Sequence, residues 1–202
     1  MAVTTARAPA SDTRRDAILL AAFEAFRLYG YRRTAMEDIA TASGMSRAAL
    51  YMHFRNKEDV FRTLLQAYFS RMATFLDAAL TPGLPPAQAM DVVSAIKTGP
   101  EMQALMDSPH GAELLDAHLS QCADLIDSGE ARFVTLLADW VRSEAEAGTV
   151  TLRPDGADAE GVARTIIAAL HGLKRPGIAY AEFVEDVHRL SALFGHALTP
   201  AP

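Results

Sequence analysis

Between positions 30 and 60 the chain reads GYRRTAMEDIATASGMSRAALYMHFRNKEDV, a stretch with the residue types that grip a polyanion. Arg47, Ala48, Tyr51, His53 and Lys57 are small, polar or basic and suit an outward face. Ile39, Ala40, Met45, Leu50 and Phe54 suit the inward face. A helix so built fits the major groove of DNA, about 12 Å wide. An arginine fork reads guanine through O6 and N7, which makes Arg47 the candidate base reader, with phosphate contact alone as the alternative. Thr34 and Ser46 stand at the starts of two short helices, where a hydroxyl can cap free N–H groups and also meet a phosphate. His53 either meets DNA or bonds within the protein, and Arg32 and Arg33 form either a phosphate-facing pair or a solvated basic loop.

These residues need a frame. Thr34-Ala-Met-Glu37 has the spacing of a capping box and opens a short helix ending near Ala42. Gly44 follows, where a sharp turn needs no Cβ, and Ser46 caps the next helix, from Arg47 to about His53. Ahead of them, Asp12 to Tyr29 is one helix, ended by Gly30. Behind them, Asn56 caps a long helix from Lys57 to about Leu80. Further helices are expected over Ala87–Lys97, Glu101–Met106, Ala112–Ile126, Glu130–Ala147 after a break at Ser128-Gly129, Asp158–Leu173 and Ala181–Leu198. Alternating strand patterns are missing, so the chain reads as all-α, with about nine or ten helices.

Charge separates the two ends of this series. The net charge is −6, yet through Lys57 there are nine basic and five acidic residues, against ten and twenty beyond it. A basic first quarter on an acidic protein points to a polyanion met only there; chance clustering of surface charge is the alternative. The single cysteine, Cys122, excludes a disulfide scaffold. No apolar run reaches the roughly 18 residues of a membrane span. Residues 1–11 lack the apolar core of a secretory signal and read as a solvated tail on a cytoplasmic protein.

The stretch resembles the TetR family of transcriptional regulators. The match runs through Gly30, Thr34, Ile39-Ala40, Ala42, Gly44, Ser46, Leu50-Tyr51, His53-Phe54 and Lys57-Glu58. It is sharp over about residues 12–65 and rests on length and helical layout beyond. Met52 stands where the family often has a second aromatic, and Met45 where it often has valine. The resemblance implies a three-helix helix-turn-helix DNA-binding domain over 12–58 and a larger helical ligand-binding and dimerisation domain over 59–202. It implies Tyr51, His53 and Lys57 on the phosphate backbone. It also implies a homodimeric repressor on a palindromic operator, released by a small molecule, with no cofactor and no catalysis.

The family's second domain encloses a cavity, and the soft and aromatic residues Phe69, Met72, Phe75, Met102, Met106, Phe133 and Trp140 are candidates for its lining or for plain core. His118 and Cys122, four apart, would share one helix face. With His110 or His171 they make either part of a metal or ligand site or two ordinary half-buried side chains. The dimer candidates are Ile166, Ala169, Leu170 and Leu173 on one helix and Phe183, Val187, Leu190 and Phe194 on the next. Two such helices from each chain form a four-helix bundle, unless these faces pack internally. The long helix from Lys57 touches the reading unit through Val60, Phe61 and Leu64 and the second domain through Phe69, Met72 and Phe75. An apolar effector that tilts it would lower DNA affinity, and the acidic second domain favours a neutral or cationic one. The competing readings are control by a protein partner and an enzyme in the helical domain; against the enzyme, no phosphate loop, His-Glu-x-x-His or nucleophile elbow occurs.

Overall fold

The computed structural model describes residues 10–115, 122–152, 157–175 and 177–201, with side chains from residue 14 onward. Ten helices follow one another among them, and no strand: α1 (Ala10–Tyr29), α2 (Met36–Ala42), α3 (Arg47–Tyr51), α4 (Lys57–Ala79), α5 (Pro86–Ala95), α6 (Pro100–Met106), α7 (111–115), α8 (Ala123–Glu146), α9 (Ala159–Gly172) and α10 (Tyr180–Leu198). Local chemistry explains most of the starts. Ser46 Oγ accepts the Ala49 N–H at 3.2 Å, and Asn56 Oδ1 accepts that of Asp59 at 2.8 Å. Asp158 caps α9 in the same way, and prolines open α5 and α6, where their missing N–H is harmless. Gly30 and Gly44 turn the chain at φ +84° and +66°, a region that costs a side chain energy.

Two expected boundaries move. The capping box of α2 is shifted by one residue: Ala35 is the cap, and Asp38, rather than Glu37, reaches back to accept the Ala35 N–H at 2.7 Å. Thr34 turns inward instead, donating its hydroxyl to Gly30 O at 2.7 Å. The break at Ser128-Gly129 does not exist, because α8 runs straight through it. A Cβ on Gly129 would lie 2.3 Å from Phe69 Cδ1, so this glycine lets α4 and α8 approach each other. Conversely, no helix spans Ala112–Ile126: Cys122 is the residue before α8, with φ −133° and ψ 23°, and 116–121 lie outside the described residues.

The first three helices wrap a core of Ile18, Phe26, Ile39, Leu50 and Phe54. The start of α4 completes it with Val60 and Phe61; the Phe61 ring meets Phe26 edge-on at 5.5 Å and Tyr31 at 4.9 Å. The same core continues between α5, α8, α9 and α10, with Met90, Val93, Leu137, Val141 and Ile167 buried. α10 seats tightly on α5, where a Cβ on Gly195 would come 2.9 Å from Ala87 Cα. This packing consumes half of the expected dimer face. Ile166, Leu170, Phe183 and Val187 are at most 1% exposed and point into their own chain's core, whereas Ala169, Leu173, Leu190 and Phe194 are half-buried.

Replacing a mid-helix glycine by alanine ordinarily stabilises by about 1 kcal/mol. Gly129→Ala should do the opposite and destabilise by about 1–3 kcal/mol, because the added carbon lands on the Phe69 ring. Denaturant unfolding checks this, and Phe69→Leu in the same chain should recover part of the loss.

Candidate nucleic-acid interface and internal cavities

α3 carries few residues, and most face outward. Arg47, Ala48 and Tyr51 are exposed, and Met52 just beyond is 87% exposed, the largest exposure among the big apolar side chains. The Arg47 guanidinium lies 5.6 Å above the Tyr51 ring and 3.5 Å from Glu37 Oε2 on α2. Tyr51 first, and then Glu37, strengthen its hold on its proton, so it stays cationic. His53 is half-buried where α3 ends. Ser46, Arg47, Ala48, Tyr51 and His53 therefore sit together as one small, cation-bearing surface.

Thr34 and Lys57 behave differently from the expectation. Thr34 is 1% exposed and its hydroxyl is bonded to backbone, so it cannot offer that hydroxyl to a phosphate. Lys57 folds inward: its ammonium donates to Tyr31 O at 2.6 Å and Arg32 O at 3.2 Å and lies 4.6 Å above the Tyr31 ring. Partial burial lowers its pKa. From the other side, Glu113 Oε1 of α7 accepts the Arg32 N–H at 2.9 Å, and a Cβ on Gly30 would collide with Glu113 Oε2. The loop before α2 is thus held by a lysine below and a carboxylate 81 positions away in the chain. No local pattern marks Glu113 for this role.

The larger cavity, about 550 Å³, lies between α1, α4 and α6, against Leu19, Phe23, Leu64, Tyr68 and Leu105. Of the ten expected ligand residues, only Met102 lines it. Phe69 lines a smaller groove of about 410 Å³ between α4 and α8. Its ring meets that of buried Phe133 at 5.7 Å. Trp140 packs under the turn after α4, donating from Nε1 to Thr81 O at 3.2 Å. Phe75 is 43% exposed, and Met72 and Met106 rest half-buried on the core. His118 lies outside the described residues. Cys122 is fully buried, and burial pushes its thiol pKa up, against the opposing pull of Arg62 from α4. Arg62 is a basic neighbour that the sequence around Cys122 does not reveal. His110 faces Glu113 at 3.4 Å, and no group of three or more metal-ligating side chains forms among the described residues.

His171, the tenth candidate, belongs to a partly buried cluster with Glu130 and Lys97. Its Nδ1 lies 2.6 Å from Glu130 Oε1, and the Lys97 ammonium, 6% exposed in its side chain, lies 3.2 Å from the same oxygen. Burial alone would raise the Glu130 pKa, but the His171 hydrogen bond and the Lys97 charge prevail and hold it at about 2. Burial, and then the Lys97 charge, lower the Lys174 pKa to about 8.

Residues 18–64 match the model of the bacterial regulatory proteins of the tetR family. The HTH-type transcriptional repressor ComR of Escherichia coli strain K12 is 39% identical over 66 residues, 33% of this chain and 31% of that protein. The HTH-type transcriptional activator FasR of Mycolicibacterium smegmatis is 35% identical over 69 residues, 34% of this chain and 32% of its own. The chain spans about a third of the length of these curated relatives. Salmonella enterica GusR is similar across the whole fold, with a TM-score of 0.74 over 96% of this chain and 99% of that one, at 20% identity.

The ionic cluster has a pH signature. Glu130 is held below its ordinary 4.5, so its contribution is complete above that pH and disappears as pH falls toward about 2. Glu130→Gln should therefore lower Tm near neutrality, and the gap from wild type should narrow once pH drops below about 4.5. Thermal melts of both proteins across that range provide the check.

Proposed function

We propose that this chain, whose residues 18–64 match the model of the bacterial regulatory proteins of the tetR family, works as a homodimeric repressor of transcription, bound to a palindromic operator and released by a small effector. The observation that carries the reading is the α3 surface: a capped helix presenting Arg47, Ala48, Tyr51 and Met52 from the basic quarter of an acidic chain. Arg47 reads guanine, and the Met52 side chain suits a thymine methyl beside it. Tyr51, His53 and Ser46 hold phosphates, and Lys57 acts mainly by fixing the Tyr31–Arg32 loop. Repression agrees with the name of ComR, though FasR, named an activator, is similar over a stretch of comparable length. No described helix is long and apolar enough to cross a membrane, and the proposed work on DNA would take place in the cytoplasm.

One α3 per chain reads half a site, so a second copy must present the other about 34 Å away, one turn of DNA. The faces of α9 and α10 that the core leaves uncovered support this pairing. Leu193 is 63% exposed, Ala168 and Ala197 are exposed, and Ala169, Leu190 and Phe194 are half-buried. Small residues on α9 let helices approach closely, and Leu193 supplies apolar area at the centre.

Selection from fragmented bacterial genomic DNA should enrich one palindrome, with affinity falling steeply as salt rises. Recovery of no palindrome would end this reading. Arg47→Ala should cost about 1–3 kcal/mol and relax preference at one base pair per half-site, whereas Lys57→Ala should weaken all sequences alike. Leu193→Glu should give a monomer in light scattering and lose the preference for the full palindrome over a half-site; a wild-type monomer at micromolar concentration would refute the dimer.

A further inference from the structure

The cavity between α1, α4 and α6 is set apart from the Phe69–Phe133–Trp140 region by the body of α4. Its volume of about 550 Å³ falls within the 300–1,000 Å³ typical of small-molecule sites. The walls are apolar: Leu19 and Phe23 from α1, Leu64 and Leu65 from α4, Met102 and Leu105 from α6. They offer a guest burial and little hydrogen bonding, since the Tyr68 hydroxyl already donates to Ile96 O at 3.1 Å.

The rim has three charges. Arg71 and Glu101 neutralise each other at 2.7 Å. Asp16, exposed on α1, has no ion-pair partner among the described residues. The rim therefore carries one uncompensated negative charge above an apolar interior. A neutral guest would leave that charge alone, and an anionic one would meet it with like sign.

We infer that this cavity is the effector site, and that it takes an amphiphile with an apolar body and a cationic amine set against Asp16. The inference rests on the regulator reading only for the word effector; the binding itself stands on the cavity. Its position supplies the coupling. α1 is a wall of the cavity and also part of the reading unit's core through Ile18 and Phe26, while α6 belongs to the second domain. A guest sets how far α1 stands from α4 and α6, and so biases the orientation of the reading unit on the rest of the chain.

The probe is N-phenyl-1-naphthylamine, an uncharged dye that fluoresces in apolar surroundings, titrated into the full chain without DNA. It should bind at one site per chain and be displaced by dodecylammonium at a concentration about tenfold below that needed with dodecanoate; Asp16→Asn should bring the two within about threefold. Ala67→Trp and Leu20→Trp, both at exposed positions on the cavity wall, should each weaken the dye by at least about tenfold. Because they fill the site from opposite sides, misfolding of one leaves the other as the test. Thr74→Trp, in the smaller groove, should leave dye binding intact. No dye binding, loss of the dye in Thr74→Trp alone, or equal displacement by the ammonium and the carboxylate would overturn the inference. A chain that passes these titrations but selects no palindrome keeps the amine site and loses the regulator. One that selects a palindrome and fails the titrations loses the amine site alone.

Discussion

One helix is buried at both of its ends in a single continuous core, and that constraint organises the molecule. The first turns of α4 place Val60 and Phe61 among the first three helices, and its last turns place Leu76 among the helices that follow. A fully buried Phe or Leu is worth about 1.5–3 kcal/mol, so neither end can leave its core cheaply. A continuous α-helix does not bend between them without a proline or a bulge, and α4 has neither. The two ends of the core therefore share a rigid member.

The remaining contacts between the domains tighten this arrangement. Arg62 of α4 forms a two-pronged pair with Asp124 at the start of α8, and Glu113 fastens the loop after α1 to α7. Lys57 sits at the junction, with its ammonium inside the same loop and its backbone opening α4. The outer surface of α3 is thus exposed to solvent while the loop and helix behind it are held by these contacts. The proposed reading of a duplex with fixed half-site spacing would need that combination.

The first three helices are legible in the sequence because their signals are local. Ser46 and Asn56 cap helices three residues ahead of themselves, and the Gly30 and Gly44 turns depend only on backbone conformation. The α2 cap was misplaced by one position because Thr34 and Ala35 each stand three residues before an acid, and only the fold decides which pair closes. Gly129 looked like a helix end because its purpose, room for Phe69, lies on another helix. Ile166 and Val187 looked like an interface because an apolar stripe does not say which neighbour covers it; α9 and α10 bury that stripe against α8 and α5. The cavity beside α1 is not legible in the sequence for a related reason. Aromatic and methionine content marks apolar volume, whereas a void depends on where helices fail to meet, and here that is beside α1.

The close approach at Gly129 also has a mechanical meaning. Phe69 sits about 18 Å along α4 from Lys57 and about 15 Å from Ala79, at 1.5 Å per residue. With Phe69 wedged on a bare α8 backbone, that contact is the natural fulcrum of α4, and the two arms of the lever are nearly equal. A tilt about it moves both ends by similar amounts in opposite directions. Such a lever transmits displacement without amplifying it, so a shift of one ångström at the Lys57 end demands about as much movement at the Ala79 end.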